Sequence, residues 1–294
     1  MDGILSFLKP PGITSHDAVG ICRRILKEKR IGHSGTLDPM AYGVLPIFLG
    51  KATRLIEYTE GFTKTYVGEC CFGTFTDTED STGEPVLPDD NMEIRADRPT
   101  WDELVSTLAT FVGTQEQIPS KYSAIKINGI RAYEYARKGI SVELPSRTIT
   151  IEHIELLAYS FPYFTIRVIC SSGTYIRSLL RDICINIGLP GTMTSLARTS
   201  VGPFSIEQSY MAEELMMHGQ TLLLPTDFAV SHLSKIDVNS VQLKMMVQGK
   251  ELPIVNSFSD TVPSQLYRAY GPDGFIGIVK RKSESIRVEK NIFI

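Results

Sequence analysis

The chain has no apolar run long enough to cross a membrane. Its best candidate, residues 41–49, is short and broken by Pro46. The N-terminus lacks a basic region followed by a long apolar stretch, so no secretory signal is expected. Cysteine is scarce. Cys22, Cys70, Cys71, Cys170 and Cys184 are odd in number, lack metal-ligand spacing and lie in apolar patterns. They read as reduced core thiols in a reducing, cytoplasmic compartment rather than as disulfides or a zinc site. His16, His33, His153, His218 and His232 are scattered without paired spacing, so no metal is expected. No phosphate-binding loop of the Gly-x-x-x-x-Gly-Lys-(Ser/Thr) type occurs. Gly43-Val44-Leu45-Pro46 and Gly50-Lys51 lack its register, and neither ATP nor a nicotinamide cofactor is implied. An excess of positive charge is missing too, with 30 Lys and Arg against 33 Asp and Glu. Any contact with a polyanion must therefore rest on local patches. Two candidates are Arg23, Arg24, Lys27, Lys29 and Arg30, and Lys121, Lys126, Arg131, Arg137 and Lys138. Each reads equally well as a solvated helix face. Acidic residues gather elsewhere, in residues 77–84 and 89–97.

What is present suits one large domain plus a small one: 294 residues, 43% hydrophobic and 21% charged. Residues 14–30 predict a helix, capped by Thr14 or Ser15, with Ala18, Val19, Cys22, Ile25 and Leu26 as its apolar stripe. A second helix is expected over residues 51–59 and a strand over 66–72. Residues 76–97 are polar, rich in Gly and Pro, and read as loop; the acidic stretch 77–84 reads as surface variation. Thr100-Trp101-Asp102-Glu103 forms a capping box for a helix running through Leu104, Leu108 and Phe111. Residues 114–147, rich in Lys, Arg and Tyr, suggest an extended insertion around a short helix ending at Gly139. Phe164, Ile166, Val168 and Cys170 alternate with polar residues as on a half-buried strand. Thr174 is the expected cap of a following helix that stops at Gly188. A boundary is expected near residues 229–238, followed by short β-like runs at 252–255, 266–270, 275–279 and 286–288, with Pro272-Asp273-Gly274 as a hairpin turn. There are no internal repeats.

The most informative stretch is Gly32-His33-Ser34-Gly35-Thr36-Leu37-Asp38-Pro39-Met40-Ala41-Tyr42-Gly43-Val44-Leu45-Pro46. Pro39 pushes Asp38 into extended backbone, and Gly32 and Gly35 allow sharp bends and close approach. A lone carboxylate on a rigid loop is either an ordinary turn or a catalytic acid presented to a ligand. Buried, it would tend to hold a proton unless a cation neighboured it. Arg177 is the best candidate. As the third residue of a helix capped by Thr174 it opposes the helix dipole, which suggests that it faces an anion; the alternative is an exposed arginine paired with Asp182 or water.

This stretch resembles, residue for residue, the motif of the TruB family of tRNA pseudouridine synthases. Further matches follow in the family's order: Lys64-Thr65-Tyr66, Ile118-Pro119 with Tyr122-Ser123-Ala124-Ile125-Lys126, Tyr133-Glu134-Tyr135-Ala136-Arg137, Gly173-Thr174-Tyr175-Ile176-Arg177, and Leu196 with Arg198 ahead of Val201-Gly202-Pro203-Phe204. Together they span roughly residues 3 to 228, and several ordered motifs are far more specific than one.

The resemblance implies an α+β pseudouridine synthase fold, with a mixed, largely antiparallel central sheet and a small β-rich, PUA-like C-terminal domain. It divides the chain into a catalytic domain over residues 1–232, with 114–147 as an RNA-binding thumb, and a C-terminal RNA-binding domain over 233–294. It implies isomerisation of uridine-55 in the TΨC arm of tRNA to pseudouridine, without a cofactor, a membrane or an obligate protein partner, by a cytoplasmic monomer. Asp38 would be the catalytic carboxylate, attacking C1′ of the ribose or abstracting its 2′ proton. Arg177 would pair with it. Tyr66, otherwise a core tyrosine, would stack on the flipped uracil and assist proton removal. His33 would insert into the RNA loop, Lys64 would contact phosphate or support the backbone, and Leu196 would pack on the target base. Tyr175 and Arg198 would be supporting or RNA-contacting residues. A glycosidase-like hydrolase would need a second carboxylate of comparable standing, and none accompanies Asp38.

Overall fold

The computed structural model describes residues 1–88, 92–123, 125–127, 129–140, 142–254, 258 and 261–292. Ala124 of the insertion motif, Asp89 and Asp90 of the second acidic stretch, and Val255 of an expected strand lie outside the described residues, as does the Arg137 side chain. In chain order the elements begin with β1 (Gly3–Lys9), α1 (Ser15–Leu26), β2 (Ile31–His33) and β3 (Tyr42–Leu49). A 3-10 helix, Gly50–Thr59, leads to β4 (Lys64–Phe72), the short pair β5 (Phe75–Thr76) and β6 (Pro85–Val86), and α2 (Trp101–Ala109). Next come β7 (Gly113–Gln117), β8 (Lys126–Ile127), β9 (Ile130–Arg131) and α3 (Ala132–Arg137). The long hairpin β10 (Arg147–Ser160) and β11 (Tyr163–Cys170) is followed by α4 (Ile176–Ile187), β12 (Gly191–Val201), β13 (Phe204–Ser205) and α5 (Ala212–His218). The chain closes with β14 (Ser234–Asp237), α6 (Ser240–Val247), β15 (Leu252–Pro253), β16 (Leu266–Gly271), β17 (Gly274–Arg281) and β18 (Ser285–Asn291).

The architecture is α+β. The central sheet runs β1-β3-β12-β4-β11-β10-β7, with β2 on β3 and β13 on β12. All its pairings are antiparallel except a short parallel stretch in which Ala197 and Arg198 of β12 meet Tyr42 and Gly43 of β3. That junction joins the two halves of the sheet, and the loop carrying Asp38 opens onto it. Alternate residues of β1 and β3 face opposite ways. Leu5, Phe7, Leu45, Ile47 and Leu49 join the main core under α1, α2 and α4. Ile4, Val44 and Phe48 join a second cluster with Val201, Phe204, Ala229 and Val230. A second, five-stranded sheet, β14-β16-β17-β18-β15, follows from residue 234.

Several local expectations shift by physical cause. Helix α1 is closed at its start by the Thr14 and Asp17 capping box, but it ends at Leu26 because Lys27 turns left-handed at φ 53°. Lys27, Lys29 and Arg30 therefore stand beyond the helix. Helix α2 has its Thr100–Glu103 box and stops at Ala109, short of Phe111. The 76–97 loop contains the small β5–β6 ladder. The start of the 114–147 insertion is a strand of the central sheet, since β7 pairs with β10. Helix α4 is capped at Tyr175 rather than Thr174, so Arg177 is its second residue. The cause lies on β7: the Gln117 side chain accepts from the Tyr175 N–H at 2.9 Å and donates to the Tyr175 carbonyl at 3.0 Å, while Thr174 Oγ1 turns back to Ser171.

Candidate active site

The loop between β2 and β3 is fastened from beneath. Ser15 Oγ accepts from the Leu37 N–H at 2.9 Å and donates to its carbonyl at 3.2 Å. Lys9, fully enclosed at the end of β1, donates to the carbonyls of Pro10 at 2.8 Å, Pro39 at 3.3 Å and Ala41 at 2.8 Å. Arg198, also fully enclosed, donates to the carbonyls of Gly35 at 2.9 Å, Thr36 at 3.4 Å and Val44 at 2.9 Å. Two buried cations thus satisfy carbonyls in and beside the tight Asp38 loop. Burial brings the Lys9 ammonium down to about 8, with Asp38 opposing the shift.

Held this way, Asp38 meets Arg177 across the cleft. Arg177 Nε lies 2.9 Å from one carboxylate oxygen and Nη2 lies 3.2 Å from the other, a two-pronged ion pair. The arginine is buried while Asp38 keeps about a third of its surface exposed, so the pair has one wet, reachable member (34% against 5%). Asp182, the alternative partner open from the sequence, pairs with Arg181 instead. Arg177 also donates to the Thr78 carbonyl at 2.8 Å and the Tyr122 carbonyl at 3.1 Å, and its Nη1 lies 3.6 Å from the buried carboxylate of Asp80. The acidic stretch 77–84, read as surface variation, is therefore in part a backing for Arg177. Asp80 Oδ1 accepts from Thr78 Oγ1 and the Thr82 N–H, which holds that carboxylate inside. The flanking threonines were the available sign that Asp80 turns inward. Lys9 was missed as well, although a cation ending the apolar run of β1 marks it.

Asp38, Lys64, Tyr66, Tyr175, Arg177 and Leu196 line one cavity of about 260 Å³, with Leu37, Ile176 and Ser123 among the other walls. Tyr66 reaches it from β4 and Leu196 from β12, both buried. Desolvation raises the phenols of Tyr66 and Tyr175 above their ordinary range, so both are neutral donors. Burial, reinforced by the charge of Arg198, lowers the Lys64 ammonium. His33 and Arg198 do not line the cavity. His33 lies on β2, its imidazole kept neutral by burial and by the nearby Arg198 charge. Of the roles open to Arg198, support of the Asp38 loop matches its geometry. A larger hollow of about 1090 Å³ lies alongside, sharing Tyr122, and is walled by Phe75, Val86, Ile118, Ile140 and Leu144. It is mostly apolar, whereas the Asp38–Arg177 pair lines the smaller cavity.

Residues 23–176 match the family model described as TruB family pseudouridylate synthase, N terminal domain. The chain belongs to the TruB family. Among curated relatives, tRNA pseudouridine synthase B of Caldanaerobacter subterraneus subsp. tengcongensis is 40% identical over 292 residues, 99% of each chain. The protein of the same name from Halalkalibacterium halodurans is 42% identical over 266 residues, 86% of this chain and 85% of that one. Among solved structures, a chain of a Cbf5-Nop10-Gar1 complex aligns with a TM-score of 0.75 at 25% identity, covering 99% of this TruB family chain and 85% of the other.

Proposed function

We propose that this chain isomerises uridine-55 in the TΨC arm of tRNA to pseudouridine. The observation that carries the reading is the Asp38–Arg177 pair in a cavity sized for one nucleobase and its sugar, walled by three tyrosines and Leu196. Its volume is below the ~300–1,000 Å³ typical of pockets for drug-sized ligands. The target base is flipped out of its stack to enter. The bond from uracil N1 to C1′ breaks, the ring turns, C5 bonds to C1′, the C5 proton leaves and N1 takes up a proton, so the product is an isomer and nothing is oxidised or reduced. Asp38 acts on the ribose, and Arg177 aims it by bridging both carboxylate oxygens. Tyr66 stacks on the uracil and assists removal of the C5 proton to solvent. Tyr175 and Leu196 pack on the base, Lys64 meets the phosphate, and His33 fills the place in the RNA loop from which the base has swung. Residues 1–232 act as the catalytic domain, the part of 114–147 between β7 and β10 as a thumb over the RNA and 233–294 as a second RNA-contacting domain. The enzyme works as a monomer in the cytoplasm, without an obligate partner.

The test is pseudouridine mapping on unmodified tRNA transcript with wild-type protein and Asp38→Asn. A single new pseudouridine at position 55, absent with the variant, supports the reading. Binding without modification by the wild type overturns it.

A further inference from the structure

Ser123 stands where the insertion joins the catalytic cleft. It is 2% exposed and lines the same cavity as Asp38, Tyr66 and Arg177. Its backbone is fixed from both sides. The preceding carbonyl, of Tyr122, accepts from Arg177 at 3.1 Å, and its own carbonyl accepts from the Tyr133 N–H at 3.1 Å. Its hydroxyl is left over. Among the described residues, Ser123 Oγ and His33 Nδ1 are the buried side-chain polar atoms without a hydrogen-bond partner. The Tyr175 phenol lies close enough for this hydroxyl to act on it, opposing the upward push of burial, so the two hydroxyls neighbour one another at the cavity wall. A buried hydroxyl without a partner is disfavoured, and such groups in native proteins call for an explanation.

Of the other walls, Leu37, Ile176 and Leu196 are apolar and Lys64 and Arg177 only donate; Thr36, Tyr66, Tyr122, Thr174 and Tyr175 also bring hydroxyls to the cavity, but among the described residues lining it Ser123 Oγ is the buried polar side-chain atom without a hydrogen-bond partner. The polar edge of uracil alternates carbonyl, N–H and carbonyl. It needs a donor at one position and an acceptor at the next, and the edge that faces a given wall changes when the ring turns. A serine hydroxyl serves as either and reorients by rotation about one bond. We propose that Ser123 Oγ is a binding contact for the polar edge of the extruded uracil, holding a hydrogen bond to it before and after the ring turns. This rests on the isomerase reading above. Ser123 is a contact to the base, whereas Arg177 acts on the sugar side through Asp38.

The test compares wild type, Ser123→Ala and Ser123→Thr on unmodified tRNA transcript. Three quantities are read: the single-turnover rate of pseudouridine formation, the Kd for tRNA, and Tm. For Ser123→Ala the expected rate falls about tenfold, the scale of one hydrogen bond. The Kd stays within about twofold, because phosphate contacts dominate binding to nucleic acid. The Tm is unchanged or raised, because the variant removes an unpaired polar atom rather than a structural bond. Ser123→Thr, which keeps the hydroxyl, restores most of the rate. A wild-type rate for Ser123→Ala overturns the proposal, and so does a lowered Tm, the mark of a structural serine. A wild-type protein that forms no pseudouridine overturns the isomerase reading instead.

Discussion

Arg177 shows how one side chain ties three segments together at the cavity. It spans both oxygens of Asp38 and fixes two carbonyls, those of Thr78 and Tyr122. A lysine keeps the charge but has no planar fork. Arg177→Lys is therefore expected to lower the single-turnover rate by about a hundredfold or more while leaving the tRNA Kd within about threefold. Filter binding beside rate measurement checks this, and equal losses in both would mean that Arg177 mainly grips RNA. Lys9 carries a pH dependence. Its pKa is about 8 in the fold against 10.5 in the unfolded chain, so the folded state binds its proton less tightly. That disfavours folding fully below about pH 8, and the penalty is relieved as pH rises from about 8 to about 10.5. The stability difference between wild type and Lys9→Met should move in favour of wild type across that window. Urea midpoints of both proteins at pH 7 and pH 10 test it, and a difference that does not change with pH refutes it.

At the scale of elements, the decisive junction is the short parallel contact of β3 with β12, and Gly43 makes it possible. Its φ is +120°, and an added Cβ would lie 2.2 Å from the Arg198 carbonyl oxygen and 2.8 Å from the Arg198 nitrogen, both backbone atoms that cannot swing away. Gly43→Ala is expected to cost about 3 kcal/mol or more in urea denaturation, and to loosen the Asp38 loop with it. Gly12→Ala, at φ +87° but with open space around it, is the control and should cost only about 1 kcal/mol. The same strands explain what could be read in advance. The starts of α1 and α2 were legible because their capping boxes are local, and β11 because it alternates between core and polar residues. The β16–β17 hairpin was legible from Pro272-Asp273-Gly274. Strand β3 was not, because Val44 to Leu49 are buried on both faces and show no alternation. The cap of α4 slipped by one residue because its partner, Gln117, comes from a strand 58 residues away in sequence. Asp38 and Arg177 stood out through motif and family likeness. Lys9 and Asp80 did not, since only the fold shows that their polar atoms turn inward.

For the whole molecule the question is whether the two sheets form one folding unit or two. Their cores are not separate. Ile278 of β17 and Ile292, just past β18, join the cluster formed by Ile4, Val44, Phe48, Val201 and Phe204, with Phe275 packed against it. Polar contacts follow the same seam: Arg54 donates to the Asn291 carbonyl at 3.0 Å, Lys290 pairs with Glu57, and Tyr270 bonds Asp227. Val44 and Phe48 lie on β3, whose opposite face packs under the Asp38 loop, so the second sheet buttresses the strand that positions the carboxylate. Burying one continuous apolar cluster couples the stability of its parts. Phe48→Ala in the first sheet and Ile278→Ala in the second should therefore lower the same calorimetric transition, each by about 2–5 kcal/mol. Wild-type protein should unfold in a single endotherm. Two endotherms, with each substitution moving only one of them, would show instead that the second sheet rides on the first as an independent module.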